Sequence, residues 1–168
     1  MAELQRRFLP NLRYDSERKR VSGIALRYGD VADLSGYQET FRPGAFSESG
    51  LGDVIVNVQH DRGRPIARVP ETATLTDTET ELTLSVDLSV DTTAARDSRE
   101  LVERGILRGL SIEFLLQPGG AEWKTKDLLE VSSARLLAVA LVDRPAYPDS
   151  TLRHWQPPEA RRRKFRWL

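Results

Sequence analysis

The chain has 168 residues, of which 39% are hydrophobic and 30% charged, a composition typical of one globular domain with a real core. The absence of cysteine excludes disulfides, thiolate chemistry and cysteine-based metal sites, and with only His60 and His154 no structural zinc site is expected. No apolar run approaches the about 20 residues of a membrane span, and the first residues lack the apolar core of a signal peptide, so we expect a cytosolic protein without membrane contact.

The equal numbers of basic and acidic side chains, 25 each, conceal an uneven distribution. Residues 161–168 carry five positive charges and no acid, so residues 1–160 have a net charge of −5. This asymmetry predicts a basic tail at residues 154–168. Residues 1–19, rich in charge and with only scattered apolar side chains, are interpreted as a flexible or partner-docking segment, and residues 20–153 as the folded domain. The tail is interpreted either as a disordered end or as a segment that binds nucleic-acid phosphates or acidic partner surfaces.

The first half of the domain reads as short strands separated by turns. Strands are predicted where β-branched residues cluster or large and polar residues alternate, at residues 21–28, 37–41, 54–59, 66–69 and 73–75. Gly63 and Pro65 are expected to end the third of these strands, which places His60 at a strand end beside a loop.

The second half contains the clearest periodicity. Residues 82–90 alternate apolar with polar side chains, which predicts a half-buried antiparallel strand. Residues 94–104 form a predicted helix that ends at Gly105 and leads directly into a strand at residues 106–116. Residues 122–130 are interpreted as a strand or a loop. The apolar run at residues 134–142 predicts a strand buried on both faces.

Short strands with one helix between them predict a mainly β fold with a few helices, arranged as an antiparallel barrel or sandwich. No internal repeat and no glycine-rich phosphate loop is visible, so no cofactor and no metal is expected.

The strand at residues 106–116 sets a serine among apolar residues. Around the serine, Leu110, Ile112 and Phe114 fall on one face, whereas Gly109, Ser111 and Glu113 fall on the other. The serine is therefore expected to be displayed at the surface, with Gly109 leaving room for another chain to approach. Such a serine is either an ordinary solvent-facing residue or a nucleophile.

A serine nucleophile needs a base, most often an imidazole. His60 precedes Ser111 by 51 residues, a separation that permits neighbouring strands. Strand periodicity places His60 on the face of the core valines and Ser111 on the opposite face, so the pairing requires a bulge or strand end at Gln59 and His60. The alternative is a loop-end histidine bonded to Asp61 or to the backbone.

Five motifs occur in order: Phe-Arg-Pro-Gly-Ala-Phe at 41–46, His-Asp at 60–61, Pro-Ile-Ala-Arg at 65–68, Arg-Gly-Leu-Ser-Ile-Glu-Phe at 108–114, and Leu-Val-Asp-Arg-Pro-Ala-Tyr-Pro at 141–148. Over residues 20–152 they resemble the tailed-phage prohead protease family of the HK97 type. The resemblance implies an antiparallel β-barrel of the herpesvirus maturation protease type. It also implies a catalytic base and nucleophile, which map onto His60 and Ser111.

Two positions depart from the family pattern. The family commonly has glycine where this chain has Glu113, and its histidine-orienting glutamate, in a Glu-Val-Ser triplet seven residues before Pro-Ala, is replaced here by Ala138. The literal triplet at residues 130–132 lies eight residues too early. The third catalytic residue therefore stays open among Asp143, Glu113 and Asp61, and Glu113 is interpreted first as a solvated strand residue.

The resemblance implies a serine endopeptidase that cleaves the major capsid protein or a scaffold segment during prohead maturation. It would act inside the procapsid in the host cytoplasm, cleave itself and self-associate. Arg144 is suggested as an oxyanion-binding residue, with solvated surface as the alternative. The first rival is an inactive capsid-assembly protein of the same fold, motivated by Ala138. The second is a nucleic-acid-binding barrel that uses the tail.

Overall fold

The computed structural model describes residues 5–9, 12–34, 36–48 and 50–143. The predictions for Arg144 and for the basic tail at residues 154–168 lie outside these ranges. Within them the chain forms thirteen strands and one helix: β1 (Gln5–Leu9), β2 (Arg13–Asp15), β3 (Arg20–Arg27), β4 (Ala32–Leu34), β5 (Tyr37–Phe41), β6 (Ile55–Val58), β7 (Asp61–Arg68), β8 (Ala73–Asp77), β9 (Glu81–Asp87), α1 (Thr93–Glu103), β10 (Gly109–Leu116), β11 (Ala121–Trp123), β12 (Leu128–Val131) and β13 (Ala134–Val142).

These strands form three sheets, with the orders β1-β10-β13-β6-β7, β11-β12-β5-β4 and β2-β3-β9-β8. Neighbouring strands run antiparallel except in the pairs β13–β6 and β12–β5, which are parallel. The prediction of a mainly β fold is confirmed. None of the three sheets closes into a barrel within the described ranges, so the barrel stays a prediction.

Alternating side chains place one face of each sheet in a shared core. β9 shows this alternation throughout, with Leu82, Leu84 and Val86 buried and the residues between them partly exposed, as predicted. At the centre of the core, three aromatic rings meet: Phe114 packs edge-on against Phe41 and Phe46, with centroid distances of 5.0 and 6.4 Å. The core thereby fixes β10, the strand that carries Ser111.

Helix α1 forms where the sequence predicts it. The Thr92 hydroxyl accepts a hydrogen bond from the Ala95 amide at 3.2 Å and so caps the first turn, and Gly105 adopts a φ of +68° just beyond the last turn. The helix buries Ala95, Ser98 and Val102. It is the one helix in the described part of the chain, and it is too short and too polar to cross a membrane.

One predicted loop is wrong. Residues 61–65 were expected to leave the sheet because Gly63 and Pro65 lie close together, but β7 begins at Asp61 and continues to Arg68. The strand tolerates Pro65 because β7 is the edge of its sheet and the register shifts around Asn57, its partner. A proline needs no amide partner at such an irregular edge.

The N-terminal residues contribute to two sheets. β1 lies antiparallel to β10, with Phe8 opposite Ser111, and β2 pairs with β3. The outer edge of the serine strand is therefore covered by another strand of the same chain. The division into residues 1–19, 20–153 and 154–168 stays a prediction.

Candidate functional site

The turn between β6 and β7 determines where His60 points. Gln59 and His60 both have positive φ, 56° and 60°, as the two central residues of a type I′ hairpin turn require. The Gln59 amide donates to the Leu141 carbonyl at 2.9 Å, which ties the turn to β13. This turn resolves the parity conflict in the sequence, because it carries His60 from the core face, where Val58 is buried, to the opposite face.

Ser111 lies in the middle of β10, on the face opposite the core, next to Ala140 of β13. The expectation that it is displayed at the surface is wrong, since only 3% of the residue is exposed. Alternation along a strand identifies which face a side chain occupies, but it does not show what covers that face. Here the imidazole of His60 approaches over the strand.

Three side chains are brought together in one line. His60 Nε2 lies 2.8 Å from Ser111 Oγ, and His60 Nδ1 lies 2.9 Å from Glu113 Oε1. The second contact is close but not straight: Nδ1 has no acceptor in its hydrogen-bonding direction within the described residues. Such contacts commonly straighten only when substrate binds. The order hydroxyl, imidazole, carboxylate is that of a serine hydrolase triad.

Glu113 is the third member of this line, and its interpretation as a solvated strand residue is wrong. Its side chain is 1% exposed, and that of His60 is 12% exposed. Ser111 and Glu113 are two residues apart on one strand, hence on the same face, about 6.8 Å apart along the chain. The imidazole fits over the strand between them.

The other candidate carboxylates do not reach the imidazole. Asp61 is exposed and accepts a hydrogen bond from the Gly63 amide at 2.8 Å, which stabilises the start of β7. Asp143 contributes its backbone carbonyl to Arg108 at 3.1 Å. Glu130, from the misplaced triplet, lies on β12 in a different sheet and pairs with Lys124 at 3.2 Å. This confirms that the triplet at residues 130–132 is not part of the site.

The two departures from the family pattern turn out to be neighbours. Glu113 and Ala138 are directly opposed partners on β10 and β13. Cross-strand partners project from the same face with Cβ atoms about 4.5–5.5 Å apart. The carboxylate absent at Ala138 is thus present one strand away, facing the same imidazole. Sequence reasoning missed this because it considered the two positions separately, whereas the strand register connects them.

The arrangement places a hydroxyl, an imidazole and a buried carboxyl group in contact, and these are the groups that acyl transfer requires. Among the residues that the structure describes, no three or more histidine or acidic side chains cluster closely enough to hold a metal ion.

The family model described as "Caudovirus prohead serine protease" matches residues 10–162. The chain belongs to this family. The resemblance found from the five motifs is confirmed, and membership in the prohead serine proteases supports a role in capsid maturation and, at the level of the family, serine peptidase chemistry. All three residues of the line lie within the matched range. No curated protein matches the chain, and no solved structure does.

Proposed function

We propose that this prohead protease is an active serine endopeptidase that cleaves the major capsid protein or a scaffold segment inside the procapsid, and that it also cleaves itself. Ser111 is the nucleophile, His60 the general base and Glu113 the residue that orients the base. One observation carries the proposal: Ser111 Oγ, the two His60 nitrogens and Glu113 Oε1 are joined by contacts of 2.8 and 2.9 Å.

In the first half-reaction, Ser111 Oγ attacks the scissile carbonyl carbon while His60 Nε2 takes the hydroxyl proton. This requires the tautomer with its proton on Nδ1, which the Glu113 carboxylate, 2.9 Å from that atom, favours once substrate binding straightens the contact. The resulting imidazolium lies against a buried carboxylate, where the attraction between opposite charges is stronger than in water.

The C–N bond then breaks as His60 Nε2–H protonates the departing amine, which completes the first half-reaction and leaves an acyl ester on Ser111. In the second half-reaction, water attacks the ester carbon while the same nitrogen takes its proton, and the carboxylic acid leaves as that proton is transferred to Ser111 Oγ. Confinement of substrate within a shell raises its local concentration, so a modest turnover is sufficient for maturation.

The finer assignments belong to the same proposal. The architecture is taken to be that of the herpesvirus maturation proteases, with a barrel completed around the five-stranded sheet that carries all three residues. The rival, an inactive assembly protein, was motivated by Ala138. That motive is weakened because Glu113, its cross-strand partner, supplies a carboxylate to the histidine.

The test is reaction of the purified chain with a fluorophosphonate, combined with capsid-protein processing in assembled particles. Ser111→Ala is expected to abolish both labelling and processing. Ser98→Ala is the matched control, because Ser98 is equally buried but donates its hydroxyl to the Ala94 carbonyl at 2.7 Å instead of to an imidazole. Unlabelled wild-type protein, or normal processing by Ser111→Ala, contradicts the proposal and favours the assembly protein.

A further inference from the structure

A cavity of about 700 Å³ borders the Glu113 end of the site. Its floor includes Ile55, Asn57 and Ala138, which project from the same face of the five-stranded sheet as Glu113. Arg62 and Arg68 of β7 line the opposite side. None of the catalytic steps proposed for Ser111, His60 and Glu113 uses this cavity.

The floor of the cavity contains a buried amide, that of Asn57, whose oxygen is unpaired within the described ranges. The residue is 1% exposed, and its Oδ1 has no hydrogen-bond partner among the described residues. A buried amide oxygen loses its water on folding and normally regains a partner from the protein. Around it the floor is largely apolar, with Ile55, Leu137 and Ala138. A ligand that brings a hydrogen-bond donor to this point would satisfy the amide and cover the apolar floor.

The position of Asn57 relates the cavity to the nucleophile. Ser111 is opposite Ala140, and Ala140 is opposite Asn57, so the three lie in one row across β10, β13 and β6. Two strand spacings separate Ser111 from Asn57, about 10 Å. An extended peptide rises about 3.3 Å per residue. The cavity therefore receives a side chain about three residues from the bond at Ser111.

A peptide substrate can approach Ser111 from the side of β13 and β6. The other edge of β10 is occupied by β1, with Phe8 opposite Ser111. A peptide therefore cannot pair with β10 at that edge without displacing β1, whereas a path over β13 and β6, across the cavity, leaves β1 in place.

The charges on the rim select among peptides. Arg62 and Arg68 are exposed, and Asp53 pairs with Arg68 only. Glu113, the acid in the lining, is already engaged by His60 at 2.9 Å. The exposed rim, made by Arg62, Arg68 and Asp53, therefore carries one net positive charge, whereas the charge of Glu113 lies at the buried end of the cavity beside His60. The rim favours an acidic neighbour in the bound peptide.

We propose that this cavity is a specificity subsite, built on Asn57, for a carboxamide side chain (glutamine or asparagine) about three residues from the cleaved bond, with an acidic residue beside it facing Arg62. A carboxamide satisfies Asn57 in either amide orientation, because it is both donor and acceptor. The inference rests on the proposed protease function and adds a substrate class to it.

The experiment is digestion of a synthetic peptide library of mixed sequence, with the cleaved products identified by mass spectrometry. The wild-type chain is expected to enrich glutamine or asparagine at one position two to four residues from the cut, next to aspartate or glutamate. Asn57→Leu is expected to lower the carboxamide enrichment at least about tenfold, the range in which an unpaired polar group discriminates. Arg62→Glu, at an exposed position, should remove only the acidic preference.

Fluorophosphonate labelling distinguishes a failure of the subsite from a failure of the protease function. The label reacts with Ser111 without occupying the cavity, so labelling of the wild-type chain tests the nucleophile apart from the subsite, and labelling of each variant reports whether its site is still folded. Where Asn57→Leu is poorly folded, Ala138→Leu fills the same cavity from β13 and should reduce the same preference. Cleavage and labelling with no carboxamide preference, or with a preference unchanged in both variants, refutes the subsite alone. Absence of labelling and cleavage in the wild-type chain refutes the protease function and the subsite with it.

Discussion

The role proposed for Glu113, orientation of the His60 imidazole, leads to the most specific prediction. Glu113→Gly removes the only described carboxylate within reach of His60 Nδ1 and leaves the imidazole free to adopt the wrong tautomer. In serine proteases the loss of this group lowers kcat by about 10⁴. We expect kcat/KM to fall about 10³–10⁴-fold, which corresponds to about 4–5 kcal/mol of transition-state stabilisation.

A second substitution, at position 138, tests whether the carboxylate itself accounts for the expected loss of activity. Ala138 faces Glu113 across β10 and β13 and lines the cavity, so a glutamate there has room to extend. In Glu113→Gly/Ala138→Glu the carboxylate starts about 5 Å from its former origin, on the same face. The double variant should regain about 10–100-fold of the lost kcat/KM, since a carboxylate contributes even when its alignment is imperfect.

The assay is hydrolysis of a small activated ester that does not extend into the cavity, so that filling the cavity from position 138 does not affect the comparison, with circular dichroism to compare folding. Glu113→Gly/Leu137→Glu is the matched control, because Leu137 also lines the cavity but lies at the register shift and has no partner residue on β10. This control should stay as slow as Glu113→Gly. Equal rescue by both double variants, no rescue by Ala138→Glu, or a fully active Glu113→Gln would refute the reasoning.

Four further outcomes test the fold around the site by urea unfolding. Thr92→Ala removes the cap of α1 and should lower the free energy of unfolding by about 1 kcal/mol. Gln59→Gly should raise it by up to about 1 kcal/mol, because glycine adopts the φ of 56° without a Cβ clash. Phe46→Ala, at a fully buried ring stacked on Phe41, should lower it by about 3–5 kcal/mol. Burial and the 2.5 Å hydrogen bond to Asp77 raise the pKa of Tyr28. Its stabilising contribution relative to Tyr28→Phe, about 1–2 kcal/mol, should hold below about pH 10 and shrink above it, where the unfolded phenol ionises and the folded one does not.

The local elements were predictable from the sequence because their signals are local. The alternation of β9, the Thr92 cap and the glycine after α1 each depend on a few consecutive residues. The structure also brings Ser111 into contact with His60, the pair that the sequence proposed because a weak nucleophile requires a base and few histidines were available. What failed was the judgement of exposure at Ser111 and Glu113. Burial of a sheet face depends on which distant segment crosses it, and strand alternation carries no information on that.

The register of β10 against β13 explains how the site can vary without changing its chemistry. Ser111 and Glu113 stand two residues apart on one strand, so a histidine supplied from the β6–β7 turn contacts both from above. A carboxylate at position 138 would approach the same imidazole from the adjacent strand. Both glutamates together would crowd two anions at about 5 Å on a buried face, which is unfavourable, and neither would leave the imidazole unsupported. Positions 113 and 138 are therefore expected to vary reciprocally across prohead serine proteases, glutamate at one accompanying a small residue at the other, and an alignment in which the two vary independently would contradict the assignment of Glu113 as the orienting residue.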